Sequence, residues 1–334
     1  MPGPRKQLLS IVAPAFNEEA VLPHFHEQLT RVLVTLADEF DIEIVYVDDG
    51  SDDATPAILA RLARDESRVR YLRLSRNFGH QAALTAGLEH ARGDAIISMD
   101  SDLQHPPTVI RELIRQWREG HEVVITLRRD HRSLGAFKKL TSRVFYWAMR
   151  WCSGMDVRPA AADFRLLSRR ALDVLLRMPE RHRFLRGMVH WLGFPTAEVP
   201  FTAPPRFAGR SKFTVVRMIR LARDGLLSFS RVPLHAALLL AGAMLGVSSL
   251  GTTVAWLLFA PRDATGWLLL TLIAGIHLAG AGMWVALVAF SEYLARVHEQ
   301  VLGRPLYVVH ETSDDVAEHQ QPLASRGASR TVVA

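Results

Sequence analysis

Apolar and polar positions follow two different periods between Leu8 and Leu127, and the changes of period mark the predicted elements. Apolar residues at helical spacing predict helices at Ala20–Phe40, Thr55–Asp65, Gln81–Ala91 and Thr108–Gly120. Short β-branched runs between these helices predict strands at Leu8–Ala15, Ile42–Val47, Val69–Leu72, Ala95–Met99 and Val123–Leu127. The alternation predicts an α/β domain whose mainly parallel sheet is covered by helices on both faces.

Two later stretches contain no charged residue. The first lies between Arg231 and Arg262 and the second between Asp263 and Glu292, and each exceeds the ~20 apolar residues needed to cross a bilayer. The pattern predicts two transmembrane helices, at about 233–260 and 266–291, joined as a tight antiparallel hairpin. Arginines flank the outer ends of the pair, so the positive-inside rule predicts that both termini are cytoplasmic.

Two further stretches mix basic with apolar residues at helical intervals. Leu134–Trp151 suits either a helix on a membrane surface or a helix packed on the sheet, whereas Phe213–Phe229 leads into the first span and is predicted to lie on the membrane. The polar, aperiodic C-terminus predicts disorder. The expected organisation is a cytoplasmic sheet domain at 1–210, a juxtamembrane helix at 211–231, the hairpin at 232–295 and a cytoplasmic segment at 296–334, disordered from about 311.

Composition agrees with a membrane protein. The 334 residues are 49% hydrophobic. The formal charge of +6 suits anionic partners such as phospholipid head groups or nucleotides. Because the basic residues cluster beside the predicted spans, no nucleic-acid partner is expected. Cys152 is the only cysteine, which excludes a disulfide framework within the chain and favours a reducing compartment. The first residues form no signal-peptide pattern, so we expect the N-terminal domain to stay in the cytoplasm.

Acidic residues follow the predicted fourth strand. Asp100 and Asp102 are two positions apart, so their carboxylates project to the same side and can share a hard cation, Mg²⁺ or Mn²⁺. Gln104 offers an amide oxygen as a further ligand. An isolated Asp-x-Asp is more often solvated surface than a site. Its place at the end of an apolar strand favours the metal site here.

A second acidic cluster, Asp48-Asp49-Gly50-Ser51, follows the second strand. Gly50 permits a tight turn there. Asp48 or Asp49 is predicted to accept hydrogen bonds from a base or a ribose, and Asp53 to cap the next helix without any ligand. The chain contains neither Gly-x-Gly-x-x-Gly nor a P-loop pattern, which argues against a dinucleotide fold and a P-loop nucleotidase.

A basic loop precedes the first predicted span. Guanidinium groups grip phosphate oxygens bidentately, so Arg206, Arg210 and Lys212 are candidates for a phosphate clamp. The alternative is a juxtamembrane segment held by anionic lipid, and both roles are compatible.

Six ordered motifs resemble the family-2 glycosyltransferases of GT-A (Rossmann-like) fold, and among them the polyprenyl-phosphate glycosyltransferases such as bactoprenol glucosyltransferases and dolichyl-phosphate mannose synthases. The similarity extends from about Leu8 to Gly303. The motifs are Pro14-Ala15-Phe16-Asn17-Glu18, Val47-Asp48-Asp49-Gly50-Ser51, Ser75-Arg76-Asn77-Phe78-Gly79, Asp100-Ser101-Asp102-Leu103-Gln104, Asp163-Phe164-Arg165-Leu166 and Ala208-Gly209-Arg210-Ser211-Lys212-Phe213.

The resemblance implies a role for individual positions. Asp163 matches an acid near the reacting centre, for which the alternative is a structural carboxylate paired with Arg165 or Arg169. His80 and His105 depart from the family, which often has Lys at the first position and Asp or Asn at the second. The implied nucleotide-sugar pocket is Pro14, Ala15, Asn17, Glu18, Asp48, Asp49 and Ser101; the metal site is Asp100, Asp102 and Gln104; the phosphate and acceptor site is Arg128, Arg132, Arg206, Arg210, Ser211 and Lys212.

The resemblance further implies an inverting, metal-dependent transfer of a sugar, with glucose from UDP-glucose favoured, to a polyprenyl (undecaprenyl) phosphate at the cytoplasmic face of the inner membrane. Mannosyl or aminosugar transfer is the alternative within the class. The alternative from another class is a non-catalytic membrane module that binds nucleotide-sugar. Membrane lipid is expected as a partner, and self-association is left open.

Overall fold

The computed structural model describes residues 6–129, 161–181, 183–204, 232–259 and 265–314. These residues belong to two compact units, a sheet domain and a pair of long helices. The predicted amphipathic helices at Leu134–Trp151 and Phe213–Phe229 lie outside the described residues.

The sheet domain contains an eight-stranded sheet in the order β7-β5-β6-β4-β1-β2-β3-β8. Its strands are β1 Gln7–Ala15, β2 Phe40–Asp48, β3 Val69–Leu74, β4 Ala95–Ser98, β5 Val123–Arg129, β6 Ala161–Ser168, β7 Thr196–Thr202 and β8 Val309–Thr312. Its helices are α1 Leu22–Val34, α2 Thr55–Asp65, α3 His80–His90, α4 Ile110–Arg118, α5 Arg169–Leu176 and α6 Leu185–Trp191, with a 3₁₀ turn at Pro107–Val109.

Strand direction decides where a site can form. Strands β1, β2, β3 and β4 pair in parallel, and β7 pairs in parallel with β5. Strand β6 is antiparallel to both of its neighbours, β4 and β5. The carboxyl ends of β1, β2, β4 and β5 therefore meet the amino end of β6 at one edge of the sheet. The strand order reverses at β1, where sheets of this kind bind ligands.

Helix α1 illustrates how the predicted pattern becomes a core. Phe25, Leu29 and Leu33 lie on one face and are fully buried in the main apolar cluster. The helix ends at Val34 rather than at the predicted Phe40, because Phe40 begins β2 and is itself buried. Helix α2 has the predicted bounds, but its N-cap residue is Ala54 and makes no side-chain cap hydrogen bond. Asp53, the predicted cap, lies one residue earlier and accepts a hydrogen bond from the Thr55 N–H at 2.9 Å.

The structure describes the C-terminal part of the sheet domain as far as Asp314. Disorder was expected from about residue 311; β8 continues to Thr312 as the edge strand of the sheet, paired with β3, and the residues after 314 lie outside the described part of the chain. The Tyr71 hydroxyl donates to the Glu311 carboxylate, and Asp314 lies 3.0 Å from the Arg70 guanidinium. An edge strand needs no buried apolar face, so its order comes from long-range pairing that a local pattern cannot reveal.

The second unit contains helices α7 Val232–Phe259 and α8 Thr265–Val301. Both are long and apolar enough to cross a membrane, and only 6% and 11% of their apolar windows are buried within the protein. Such exposure is unlike the core helix of a soluble domain. The two helices pack on each other through small residues, and Ser248 Oγ donates to the Gly275 carbonyl at 2.7 Å. Helix α8 extends beyond the predicted end near residue 291.

Candidate active site

The acidic triplet leaves β4 where the strand order reverses. The Ser101 hydroxyl donates to the Pro14 carbonyl at 2.8 Å, and the Met99 N–H donates to the Val12 carbonyl at 3.0 Å. Both bonds fasten the triplet to the end of β1. Ser101 is only 2% exposed, and its hydroxyl makes a hydrogen bond within the sheet domain. The predicted contact of Ser101 with a nucleotide stays a prediction.

Asp102 and Gln104 are engaged with neighbours in the same turn. One Asp102 carboxylate oxygen accepts from the Gln104 N–H at 3.0 Å. The Gln104 amide oxygen, predicted as a metal ligand, accepts from Arg128 Nη1 at 2.8 Å. Arg128 is the last but one residue of β5, so the sheet brings a predicted acceptor-binding residue beside the predicted metal site.

Two histidines flank Asp100. His80 Nε2 lies 3.4 Å from one Asp100 carboxylate oxygen and 3.6 Å from an Asp163 oxygen. Partial loss of hydration lowers the pKa of His80, but the carboxylates of Asp100 and Asp163 outweigh that effect and raise the pKa to about 9. Burial also dominates at His105 and lowers its pKa, so that ring is neutral and its 3.7 Å approach to Asp100 is no ion pair.

Asp163 is the centre of a buried ionic cluster at the amino end of β6. Arg186 Nη2 donates to one of its carboxylate oxygens at 2.9 Å and Arg186 Nε to the other at 3.2 Å. Arg165 also donates to the carboxylate. Arg169, the other partner considered from sequence, instead donates to the carbonyls of Ala91 and Gly93.

This cluster limits what Asp163 can do. Burial raises the pKa of Asp163, but Arg186, His80 and Arg165 together reverse that effect and hold the pKa well below its usual range. A carboxylate of such low basicity is a poor proton acceptor. Its geometry suits charge compensation and orientation.

The acidic pair after β2 is held by backbone groups. Both carboxylate oxygens of Asp49 accept from N–H groups of the next loop, from Phe78 at 2.8 Å and from Gly79 at 3.0 Å. Asp48 accepts from the Ser51 N–H at 3.1 Å and lies 3.5 Å from Arg73. Burial raises the pKa of both aspartates.

The first motif is joined to this acidic pair. Asn17 has φ +53° and its N–H donates to Ser51 Oγ at 2.9 Å, while its amide oxygen accepts from the Asp52 N–H. The Glu18 N–H donates to Thr55 Oγ1 at 2.9 Å. Pro14 and Ala15 are buried at the end of β1. The structure therefore brings Pro14, Ala15, Asn17, Glu18, Asp48 and Asp49 to one end of the sheet.

Similarity to known proteins agrees with this geometry. Residues 10–175 match the family described as Glycosyl transferase family 2. An uncharacterized glycosyltransferase of Bacillus subtilis, YkcC, is 35% identical over 91% of this chain and 93% of its own length. The chain belongs to glycosyltransferase family 2. A prophage-derived bactoprenol glucosyl transferase of Shigella flexneri is also 35% identical, over 90% of this chain and 97% of its own length.

The sheet domain of this family-2 glycosyltransferase has the GT-A fold predicted from the motifs. Among solved structures, mannosyl-3-phosphoglycerate synthase from Rubrobacter xylanophilus gives a TM-score of 0.47 at 15% identity, covering 65% of this chain and 71% of that one. The mixed, mostly parallel sheet and the family membership are the observations that support the fold class.

The residues present fit a hard divalent cation at Asp100 and Asp102. No group of three or more His, Cys, Asp or Glu side chains suited to a metal occurs among the described residues. Mg²⁺ commonly needs only one or two protein carboxylates, because substrate phosphates and water complete its shell. The partly exposed Asp100 and the carboxylate of Asp102 supply such a pair.

The structure adds partners that sequence reasoning missed and leaves others undescribed. Arg186 lies in α6, which none of the six motifs covers. The only signal in the sequence that could have identified it is its place in a basic segment, three residues after Arg183. His80 and His105 depart from the family in sequence, but nothing in the sequence placed both beside Asp100 or placed His80 beside Asp163. The predicted phosphate-binding residues Arg132, Arg206, Arg210, Ser211 and Lys212 lie outside the described residues.

Proposed function

We propose that this glycosyltransferase transfers glucose from UDP-glucose to a polyprenyl phosphate, with a divalent metal and inversion at the anomeric carbon. The product would be a lipid-linked sugar for glycans or glycolipids of the cell envelope. The observation that carries the proposal is the placement of His80 between Asp100 and Asp163, which unites the candidate metal carboxylates with an arginine-rich site. Relatives named bactoprenol glucosyl transferase support the acceptor class.

The proposed reaction is a single displacement. An oxygen of the acceptor phosphate attacks the anomeric carbon, the bond from that carbon to the donor diphosphate breaks, and nucleoside diphosphate leaves with the bonding electrons. Asp100 and Asp102 would hold the metal, whose charge stabilises the leaving diphosphate. A phosphate monoester is already largely ionised at neutral pH, so the attack needs almost no general base.

Asp163 then has a role that agrees with its surroundings. Ionised and fixed by Arg165 and Arg186, it keeps two guanidinium groups and His80 in place beside the reacting atoms. Arg128, next to Gln104, supplies positive charge at the same edge of the sheet for phosphate oxygens.

A panel of donors tests the substrate assignment. Purified full-length protein in detergent would receive undecaprenyl phosphate, Mg²⁺ or Mn²⁺ and one radiolabelled UDP- or GDP-sugar at a time. We expect lipid-linked glucose with UDP-glucose, in the β configuration from the α-linked donor. Transfer of mannose or an aminosugar instead would support the alternative within the class, and transfer that survives chelation would refute metal dependence.

A matched variant separates an enzyme from a binding module. Asp102→Asn keeps the acceptor for the Gln104 N–H but removes charge from the metal site. We expect transfer to fall about 10²–10³-fold with unchanged folding, because the charge that stabilises the leaving group is lost. If the wild-type protein binds UDP-glucose but transfers no glucose to polyprenyl phosphate, the non-catalytic module is the better description.

We also propose a multi-pass protein of the inner membrane, with the sheet domain and both termini in the cytoplasm. The pairing of β8 with β3 supports this arrangement, because the segment after α8 must then lie on the same side as the sheet domain. Two crossings fulfil that condition. In a Cys152→Ser background, we expect an impermeant thiol reagent to label Gly266→Cys in intact cells and Ala334→Cys only after permeabilisation. The reverse pattern would exclude this topology.

A further inference from the structure

His105 occupies a closed aromatic site beside the acidic triplet. Its side chain is 3% exposed. The ring stacks on Phe164, with centroids 5.3 Å apart and planes inclined by 26°, and meets the edge of Phe201 at 5.8 Å. Phe164 directly follows Asp163 in β6. His105 therefore links the two acids: its ring contacts β6, which carries Asp163, and its backbone lies in the turn that begins at Asp100.

A hydrogen bond fixes the orientation of this ring. Asp100 N–H donates to His105 Nδ1 at 2.8 Å. A nitrogen that accepts a hydrogen bond carries no proton, so the proton of the neutral ring is on Nε2. This hydrogen bond joins the two ends of the turn formed by residues 100–105. Within the turn, Leu103 has φ +63° and Asp102 accepts a hydrogen bond from the Gln104 N–H.

We propose that His105 is a positioning residue, whose Nδ1 fixes the backbone of Asp100 and whose ring keeps that turn packed on the Asp163 strand. The inference rests on the proposed function, because it concerns the carboxylates assigned to the metal. The two contributions are separable. The acceptor sets where the Asp100 carboxylate lies, and the ring contributes mainly to stability through its contacts with Phe164 and Phe201.

Three variants distinguish these contributions. His105→Asn places an amide oxygen near the position of Nδ1 and removes most of the ring. His105→Phe keeps a ring of similar shape and removes the acceptor. His121→Asn is the control outside the site, where Nδ1 contacts the Gln116 carbonyl.

The first readout is the affinity of the full-length protein for Mn²⁺ in the presence of UDP. It is measured from the decrease of the EPR signal of free Mn²⁺. We expect His105→Phe to weaken Mn²⁺ binding about 10–100-fold, the range for residues that orient metal ligands, with a Tm near that of the wild type. His105→Asn should bind Mn²⁺ within about threefold of wild type, with a lower Tm. Equal Mn²⁺ affinity in the Phe variant and the wild type, or equal losses in the Phe and Asn variants, would overturn the proposal.

The second readout does not depend on metal or sugar transfer. In protein labelled with ¹⁵N-histidine, the resonances absent from His105→Asn identify His105, and we expect the Nε2–H tautomer. The Nδ1–H tautomer would refute the proposal whatever the enzyme does. Conversely, a wild-type protein with the Nε2–H tautomer and the expected Mn²⁺ pattern but no transfer to polyprenyl phosphate would refute the proposed function and leave the role of His105 intact.

Discussion

The two halves of the site hold their carboxylates by different means. In the half proposed to bind the nucleotide, called the nucleotide half and defined by Asp48 and Asp49, the oxygens accept mainly from backbone N–H groups of Ser51, Phe78 and Gly79. Asp48 also lies 3.5 Å from Arg73. In the half proposed to carry out the transfer, called the transfer half and defined by Asp100 and Asp163, the main partners are the charged side chains of His80, Arg165 and Arg186.

The difference has an energetic consequence. Asp49, which accepts from neutral backbone groups, can lose its charge without leaving an ion-paired arginine uncompensated. In the transfer half, removal of one ion leaves its partners uncompensated in a buried place, which costs more than the net worth of the pair. We therefore expect the loss of a carboxylate charge to cost more at Asp163 than at Asp49. Four substitutions, two in each half, test how the halves differ.

The largest effect is expected at Asp163. Asp163→Asn should lower kcat about 10²–10³-fold and the free energy of unfolding by about 3–5 kcal/mol, because Arg165 and Arg186 lose their common counter-charge. Steady-state kinetics and denaturant unfolding measure the two quantities. The double variant with Arg186→Met should lose less stability than the sum of the single variants. Additive losses would argue against a coupled cluster.

A backbone substitution in the nucleotide half comes next. Gly50 has φ +69°, and a Cβ there would lie 2.4 Å from the Arg76 carbonyl carbon. Gly50→Ala should therefore lower the free energy of unfolding by about 2–4 kcal/mol, from backbone strain and steric overlap. Gly120→Ala is the matched control, since its φ is +99° but no atom lies within 4 Å of the added Cβ. If both variants lost the same free energy of unfolding, the positive φ alone would explain the loss, without the steric overlap at Arg76.

Asp49→Asn should have a smaller effect. The amide keeps one oxygen acceptor but turns an NH₂ group toward the other backbone N–H, which costs about 1–3 kcal/mol. Because Asp49 holds Phe78 and Gly79, directly before His80, we expect a higher KM for the donor with a modest change in kcat. Kinetics with the donor varied measures this. A loss in kcat as large as that of Asp163→Asn would mean that the two halves do not differ in the way argued here.

The smallest effect is expected from His80 and concerns pH. Its pKa of about 9 in the folded protein lies above the ordinary value, so its contribution to stability is complete below about pH 6.5 and is lost as the pH rises through about 9. His80 is 44% exposed, so salt should weaken the effect. In metal-free protein, the Tm difference between wild type and His80→Gln should shrink between these pH values. A constant difference would contradict the ionic role.

Much of the fold could be predicted from local pattern. The strands β1 to β5 and helices α2 to α4 were predicted close to their observed positions, because the strands are short apolar runs and the helices carry apolar residues at helical spacing. Helix α1 was predicted too long at its C-terminal end. Strands β6, β7 and β8 were not predicted. Strand β6 contains two charged residues, Asp163 and Arg165, that are buried only through each other and their tertiary partners. Strand β8 is a short polar edge strand that exists through its pairing with β3.

The sequence by itself determined the acidic triplet, the Asp48-Asp49 turn and the family, because each depends on residues that are neighbours in the chain. Only the tertiary structure decided which charges meet. Because β6 is antiparallel to β4, Asp163 at the start of β6 lies at the same edge of the sheet as Asp100, which follows β4. Arg186, more than 20 residues farther along the chain in α6, donates to Asp163. Such contacts depend on strand direction and helix packing, which are settled by the burial of the whole sheet and leave no signal in the spacing of the acids themselves.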